Sequence, residues 1–314
     1  MDVKEPLDVL AIGDFAWDVL IHTGAPLAPG GDTFGRVELQ PGGSAANVAV
    51  WARRCGVSSG FVGKIGRDRF GELARENLEE EGVVHFLSET SSRPTGVVAV
   101  WVDHTGQRSM VSGQGADFLL TEDDLPPELE SARHLHLTGW SLFTDPPRKA
   151  ALAAARRARD AGLTISLDPA SFQLIEETDP AAFVQMTAKL KPTIIFPNYD
   201  EGRVLTGRKE PEEIARRLSR LYPGAIIALK LDARGALVGR DDSYDYVPPT
   251  PDQATDATGA GDAFAGSFLA RWLQGEGLRQ AAEFAVVVSG WVVSRRGARP
   301  PLDKRLKEHC RVSG

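Results

Sequence analysis

The chemistry in this chain is concentrated in ten residues, DATGAGDAFA, running from Asp256 to Ala265. They hold two acids and a Gly-Ala-Gly step just ahead of an apolar run. Glycine inside a helix costs about 1 kcal/mol relative to alanine. At a helix start it lets backbone N–H groups meet a ligand with no side chain in the way. First-turn N–H groups have no intrahelical partner and carry partial positive charge. Gly259, Ala260 and Gly261 therefore predict an anion hole for a phosphate. Asp262 has two readings. It either complements the helix dipole, for roughly 0.3–1 kcal/mol, or acts as a base taking a proton from a substrate hydroxyl that attacks a phosphorus. Asp256 reads as a turn residue with Asx-type hydrogen bonding.

The commoner phosphate loops are absent. The chain contains no G-x-x-x-x-G-K-[ST]. A G-x-G-x-x-G fingerprint fails twice, because Phe264 and Phe118 stand where the third glycine belongs. Other polar residues carry weaker signals. Asp168 sits at a strand end, where it serves as a cap or meets a ligand. Glu201 suits a helix start. His134 and His136 share one face of a strand but lack a third ligand nearby, so packing outweighs a metal pair. Cys55 reads as a packed small residue.

These residues need a frame, and the apolar pattern supplies one. LDVLAIGD reads as a buried strand ending in a turn. GGSAANVAVWARRCG reads as a helix with Ser44 as N-cap and Gly56 as its stop. SGFVGKIG is a strand, and DRFGELARENLEEEG a helix. After Gly115, short apolar strands (HLHLTGW, LTISLDPA, TIIFPN, AIIALKL) alternate with helical patterns such as RKAALAAARRARDAG. That alternation predicts an α/β fold with a mostly parallel sheet and helices on both faces. GALVGR and SYDYVPP predict a late antiparallel hairpin, and two helices are expected to close the chain. VVAVWVD and QRSMVS flank a His104-Thr105-Gly106 turn and predict another hairpin. The expected division is a large domain of residues 1–14, 42–92 and 115–314, with residues 15–41 and 93–114 forming a small β lid over the strand ends.

Composition bounds the function. Against 36 basic residues stand 43 acidic ones, a net charge of -7 that argues against a general nucleic-acid binder. No run of 18 apolar residues predicts a membrane span. Two cysteines and no signal-like apolar start make a reducing cytoplasm the expected compartment.

In combination, these motifs identify a relationship. DATGAGDAFAGSFLA closely resembles the C-terminal signature of the ribokinase (PfkB) family of carbohydrate kinases. GGSAANVAVWARRCG resembles the family's N-terminal signature, and GKIGRDRFG follows at the family's spacing. IGDFAWD, RPTGVV, GQGADFLL, LTGWSL, SLDPA, FPNYDE, KLDARGAL and RRGA extend the likeness over nearly all 314 residues. The resemblance implies a three-layer α/β/α ribokinase-like fold with a β lid, often a homodimer contact, and an ATP- and Mg²⁺-dependent sugar kinase. It implies Asp262 as base, Gly259, Ala260 and Gly261 as anion hole, and Asp14, Asp18, Gly42, Gly43 and Asn47 as substrate contacts. Asn198, Lys230, Gly235 and Gly261 would border the nucleotide, and Glu201 would reach the metal through water. Asp18 and Asn47 suit vicinal hydroxyls, accepting and donating hydrogen bonds.

Departures leave the substrate open among ribose-, fructose- and 2-keto-3-deoxygluconate-like sugars, with a nucleoside kinase or a non-catalytic sugar-binding relative as alternatives. Ribokinases proper place a glutamate where Thr138-Gly139 stands, and ketodeoxygluconate kinases use a Tyr-x-Arg pattern where SMVSGQGAD stands, downstream of Arg108. Asp232 replaces a frequent glycine in the nucleotide segment. Pro301 replaces a small hydroxyl residue after RRGA, leaving monovalent-cation (K⁺) dependence open.

Overall fold

Strand β1 (Val9–Ile12) sits at the heart of the molecule, and its alternation builds both core layers. Leu10 and Ile12 point into one apolar cluster, while Val9 and Ala11 point to the opposite side. The computed structural model describes residues 6–25, 28, 30–102 and 108–310. Residues 1–5, the His104-Thr105-Gly106 turn and residues 311–314 lie outside them.

The chain runs through β2 (Ala16–Thr23), β3 (Gly35–Pro41), α1 (Ser44–Arg54), β4 (Ser59–Gly66), α2 (Arg69–Glu80), β5 (Val84–Thr90), β6 (Gly96–Val102) and β7 (Arg108–Ser112). After three short 3₁₀ turns come β8 (His134–Thr138), α3 (Pro147–Asp160), β9 (Thr164–Asp168), α4 (Phe172–Thr178), α5 (Pro180–Ala188) and β10 (Ile194–Ile195). The last part holds α6 (Tyr199–Thr206), α7 (Pro211–Leu221), β11 (Ile226–Lys230), β12 (Ala236–Arg240), β13 (Ser243–Val247), α8 (Ala260–Leu273), α9 (Leu278–Val293) and α10 (Lys304–Cys310).

Nine strands form one sheet in the order β13-β12-β11-β10-β9-β8-β1-β4-β5. All its pairings are parallel except those at β12 and β13, which form the expected late hairpin. Helix α3 carries Ala150, Ala151, Ala154, Ala155 and Ala158 as a helical stripe, packed with α5, α6 and α7 against one face. α1, α8, α9 and α10 cover the other. The architecture is the expected three-layer α/β/α arrangement. Among the described residues no helix is long and apolar enough to cross a membrane.

β2, β3, β6 and β7 form a separate four-stranded sheet, ordered β3-β2-β6-β7. It draws on the two segments that broke the strand–helix alternation, and β6 and β7 pair as the expected hairpin. Two expectations need correction. The chain closes with three helices, because α10 follows the turn after α9. Ser44 is not the N-cap of α1: Gly43 takes that place with φ +89 and ψ 120, and Ser44 is the first helical residue. The capping oxygen comes instead from Asp14, thirty positions earlier in the chain.

Candidate active site

Sheet order brings the C-terminal ends of β1, β8, β9 and β11 together, where open α/β sheets bind ligands. α8 starts over this edge. Gly259 adopts a left-handed φ of +71, and a Cβ there would come within 2.4 Å of the Ala298 Cβ, so only glycine fits. Ala260, Gly261 and Asp262 are the first three helical residues, and the N-cap residue, Gly259, has no side chain to cap them. Asp256 secures the approach. Its Oδ1 accepts from the Thr258 N–H at 2.8 Å in an Asx-type bond, and its Oδ2 accepts from the Gly297 N–H at 2.9 Å.

Asp262 is half-buried, and its carboxyl is held from α1. Asn47 donates from Nδ2 to Asp262 Oδ2 at 2.7 Å. Burial pushes the Asp262 carboxyl up to about 7, opposed by that hydrogen bond and by Lys230, and reinforced by the charges of Asp168 and Asp14. Asn47 is itself buried, and its Oδ1 accepts from Arg299 Nε at 2.6 Å.

The start of α1 is arranged differently. Both Asp14 oxygens face its first turn, accepting from the Ser44 N–H at 2.7 Å and the Ala45 N–H at 3.2 Å. Burial raises the Asp14 carboxyl, while those two N–H groups oppose the rise. Gly42 leaves room for Asp18: a Cβ on Gly42 would fall within 2.5 Å of Asp18 Oδ2. Burial pushes Asp18 up to about 7, with Arg299 opposing and Asp14 and Asp256 adding to the rise. Asp18 thus borders the Gly42-Gly43 loop, whereas Asp14 is occupied as the helix cap.

Along the sheet edge, Lys230 at the end of β11 pairs with Asp168 at the end of β9, 2.6 Å apart and largely buried. Burial works against the Lys230 ammonium, but Asp168 and Glu201 outweigh it and keep the amine charged. A Cβ on Gly261 would come within 3.1 Å of Lys230 Nζ, so the ammonium lies directly under the first turn of α8. Asn198 and Glu201 form a reciprocal cap on α6. Asn198 Oδ1 accepts from the Glu201 N–H, and Glu201 accepts from the Asn198 N–H and Nδ2, each at 2.8 Å. Glu201 is buried, and this pushes its carboxyl up to about 8 with Asp168 adding to the rise and Lys230 opposing it. Asn198 also forms an isolated β-bridge with Lys230. Gly235, with φ +85, closes the turn from β11 to β12 that contains Asp232.

His134 and His136 lie beneath this edge, within the sheet. Both bond to Ser166 Oγ at 2.7 Å, and burial pushes both imidazoles down to about 3, so they are neutral packing groups. Among the described residues no cluster of three His, Cys, Asp or Glu side chains could hold a metal ion.

Two residues at the site were not singled out from the sequence. Arg299 lies 252 positions from Asn47 in the chain, and nothing local marks it. Asp117 sits in the GQGADFLL segment. Burial pushes its carboxyl up to about 7, and the charge of Asp14 adds to the rise. An acid two positions after Gly115 and before an apolar stretch was the available clue.

Comparison with known proteins fits this geometry. Residues 7–305 match the family model described as pfkB family carbohydrate kinase. The chain belongs to the PfkB family. It is therefore a sugar kinase, a phosphotransferase with an alcohol acceptor. An ATP-dependent ribose-1-phosphate kinase of Halopiger xanaduensis is 31% identical over 295 residues, covering 93% of each chain. A fructokinase of Klebsiella pneumoniae is 32% identical over 251 residues, covering 78% of this chain and 80% of its own. Among solved structures, the adenosine kinase of Sinorhizobium meliloti superposes with a TM-score of 0.82 at 23% identity, covering 94% of this chain and 96% of its own. An E. coli ribokinase II candidate in complex with ATP and Mg²⁺ gives 0.81 at 23% identity, covering 93% and 94%. At that identity the two structures speak for the PfkB fold alone.

Proposed function

We propose that this PfkB kinase transfers the γ-phosphoryl group of ATP to a primary hydroxyl of a small sugar, with Asp262 as the base. The observation that carries the reading is the pairing of Asp262, tethered by one oxygen to Asn47, with the Gly-Ala-Gly start of α8, whose N-cap Gly259 carries no side chain. Asp262 accepts the hydroxyl proton as the sugar oxygen bonds to phosphorus and the bond to the ADP oxygen breaks. The N–H groups of the 259–261 turn and the Lys230 ammonium meet the negative charge that develops on the transferring group. ATP supplies the phosphoryl group, and Mg²⁺ shields its charge. We assign Asn198 and Gly235 to the nucleotide side and Glu201 to the metal side, acting through water. No monovalent cation is assigned, and replacing K⁺ by Na⁺ in the assay decides that dependence.

On the acceptor side we assign Asp18, Gly42, Gly43 and Asn47: Asp18 lies against Gly42, and Arg299 ties the Gly42 carbonyl to Asn47, a set that suits a polyhydroxylated ring. Asp14 is assigned to holding that space through α1. Relatives named for fructose and ribose 1-phosphate favour a furanose-type sugar over a nucleoside. A non-catalytic sugar binder would need neither the base nor the glycine turn. The small sheet fits a lid: β2 brings Asp18 on the face that also carries Gln40. Lid closure excludes water and limits wasteful ATP hydrolysis.

The other face of that sheet carries Val19, Ile21, Val37, Leu39, Ala99 and Val111, aligned by strand register. Val37 and Val111 are 65% and 72% exposed. We assign it to a second copy of the chain, because an apolar face of this extent is uncommon on a monomer. Val37→Asp then yields a monomer in size-exclusion chromatography, and an unchanged elution sinks the dimer. A reducing cytoplasm suits Cys55 and Cys310, buried with Sγ atoms 3.6 Å apart and unbridged.

The test is a coupled ADP-release screen over pentoses, hexoses, sugar phosphates, keto-deoxy acids and nucleosides. Sugar-dependent ADP release is expected. Binding of a sugar with no transfer to any acceptor overturns the kinase reading for this site.

A further inference from the structure

Arg299 is the unexplained charge of the site. It is buried, with its guanidinium 5.5 Å from the Phe15 ring centroid. Each of its nitrogens donates to an amide oxygen: Nε to Asn47 Oδ1 at 2.6 Å, Nη1 to Asn77 Oδ1 at 2.8 Å and Nη2 to the Gly42 carbonyl at 2.9 Å. No carboxylate bonds to it directly among these contacts. A buried cation without a bonded anion is expensive, so its position calls for a reason.

Asn47 supplies that reason. An asparagine amide has an oxygen and a nitrogen at nearly equivalent positions, and its neighbours decide which way it points. Arginine only donates. With Arg299 Nε on one side, the Asn47 oxygen must face the guanidinium, and the NH₂ must face Asp262. With Arg299 absent, the amide can turn and present its oxygen to the carboxylate, which has nothing to donate.

We propose that Arg299 is a positioning residue for the phosphoryl-transfer step: it locks the Asn47 amide so that Asn47 donates to Asp262, and ties that lock to the sugar-side Gly42 carbonyl. The inference rests on the reading of Asp262 as base. Arg299 reaches α1 through Asn47, α2 through Asn77 and the 42–43 loop through Gly42, so it couples the base to the acceptor loop. Its charged neighbours are Glu81, Arg54, Asp18 and Asp262. Those facing Asp262 are Asp168, Lys230 and Asp14. These stay in place when only Arg299 changes, whereas Asp18 loses the charge that opposes its own rise; the Asn47→Ala background, which cuts only the path to Asp262, tells the two apart.

The experiment measures kcat against pH for the full chain, with thermal melts as the check on folding. Arg299→Gln is expected to move the acid limb up by about one pH unit, because Asp262 loses a hydrogen bond to its ionised form. Arg299→Lys keeps the charge and can still donate to Asn47 Oδ1, but cannot hold Asn77 and the Gly42 carbonyl as well, so a smaller shift than that of Arg299→Gln is expected. In an Asn47→Ala background, Arg299→Gln should add no further shift. A full further shift without Asn47 overturns the positioning role and leaves a charge effect. If Arg299→Gln does not fold, Asn77→Ala decides: it removes one anchor of the guanidinium away from the base. A smaller shift in the same direction supports the proposal, and an unmoved limb overturns it. Asp262→Asn separates the layers. Near-wild-type turnover in that variant defeats the base itself, whereas an inactive Asp262→Asn with an unmoved Arg299→Gln limb defeats only the positioning.

Discussion

Two helices begin at the same site, each with an aspartate beside its first turn, and the two acids are used in opposite ways. At α1 the acid comes from a distant segment, and both oxygens of Asp14 accept from helix N–H groups. The positive end of α1 is thereby closed by the protein's own carboxylate. At α8 the acid is the third residue of the helix, and Asn47 holds one oxygen of Asp262 from the side. The N-cap residue of α8 is Gly259, which has no side chain to offer the first-turn N–H groups. Burial raises both carboxyls, yet only Asp14 has backbone N–H groups opposing that rise. A carboxyl saturated by a helix start is structural. One placed beside a helix start, with an oxygen to spare, is fitted to exchange a proton.

The largest expected effect separates the two on rate. Asp262→Asn should lower kcat by roughly 10²–10⁴-fold while its melting transition stays near the wild type. Near-wild-type turnover would erase the distinction. Asp14→Ala should do the reverse, costing about 1–2 kcal/mol in denaturant unfolding through the lost cap. A variant of full stability whose turnover has collapsed would invert the comparison and place Asp14 in the chemistry.

The smallest effect is on stability against pH. Burial lifts Asp18, Asp117 and Asp262 to about 7, from an ordinary value of 3.8. The folded state therefore binds more protons than the unfolded chain between those limits, and stability falls as pH climbs through about 7. Asp68 lies on the other side: hydrogen bonds from Thr95 and Gly71 outweigh its partial burial and lower its carboxyl. Its contribution is present above the ordinary carboxylate range and is lost as pH falls below it. Thermal melts should thus be most favourable at mildly acidic pH. A melting temperature that rises steadily into the alkaline range would contradict the burial of these acids.

Much of the frame was legible where local pattern decides. The strand read from SGFVGKIG is β4, Ser59–Gly66, because every residue but Lys64 is buried and apolar continuity marks it. The helix start at GAGD was legible from its glycines, read as room for backbone N–H groups to approach a ligand; the left-handed φ of Gly259 is a second reason that only the structure supplies. What escaped was built from long-range contact. Ser44 looked like a cap because it stands at the right place, but Asp14 supplies the oxygen from thirty residues away. Arg299 acts on α1, α2 and the 42–43 loop at once, and no window of sequence contains its partners. The short α10 packs through Leu306 and Cys310, too few apolar positions to make a periodic signal.

The claim at the centre is that Asp262 must be unprotonated to take the acceptor's proton. The most direct measurement is kcat for sugar phosphorylation against pH, at saturating ATP and sugar. With the Asp262 carboxyl pushed up to about 7, the rate should fall about tenfold per pH unit below that point. A rate that stays flat down to about pH 5, within reach of an ordinary carboxylate, would contradict the account.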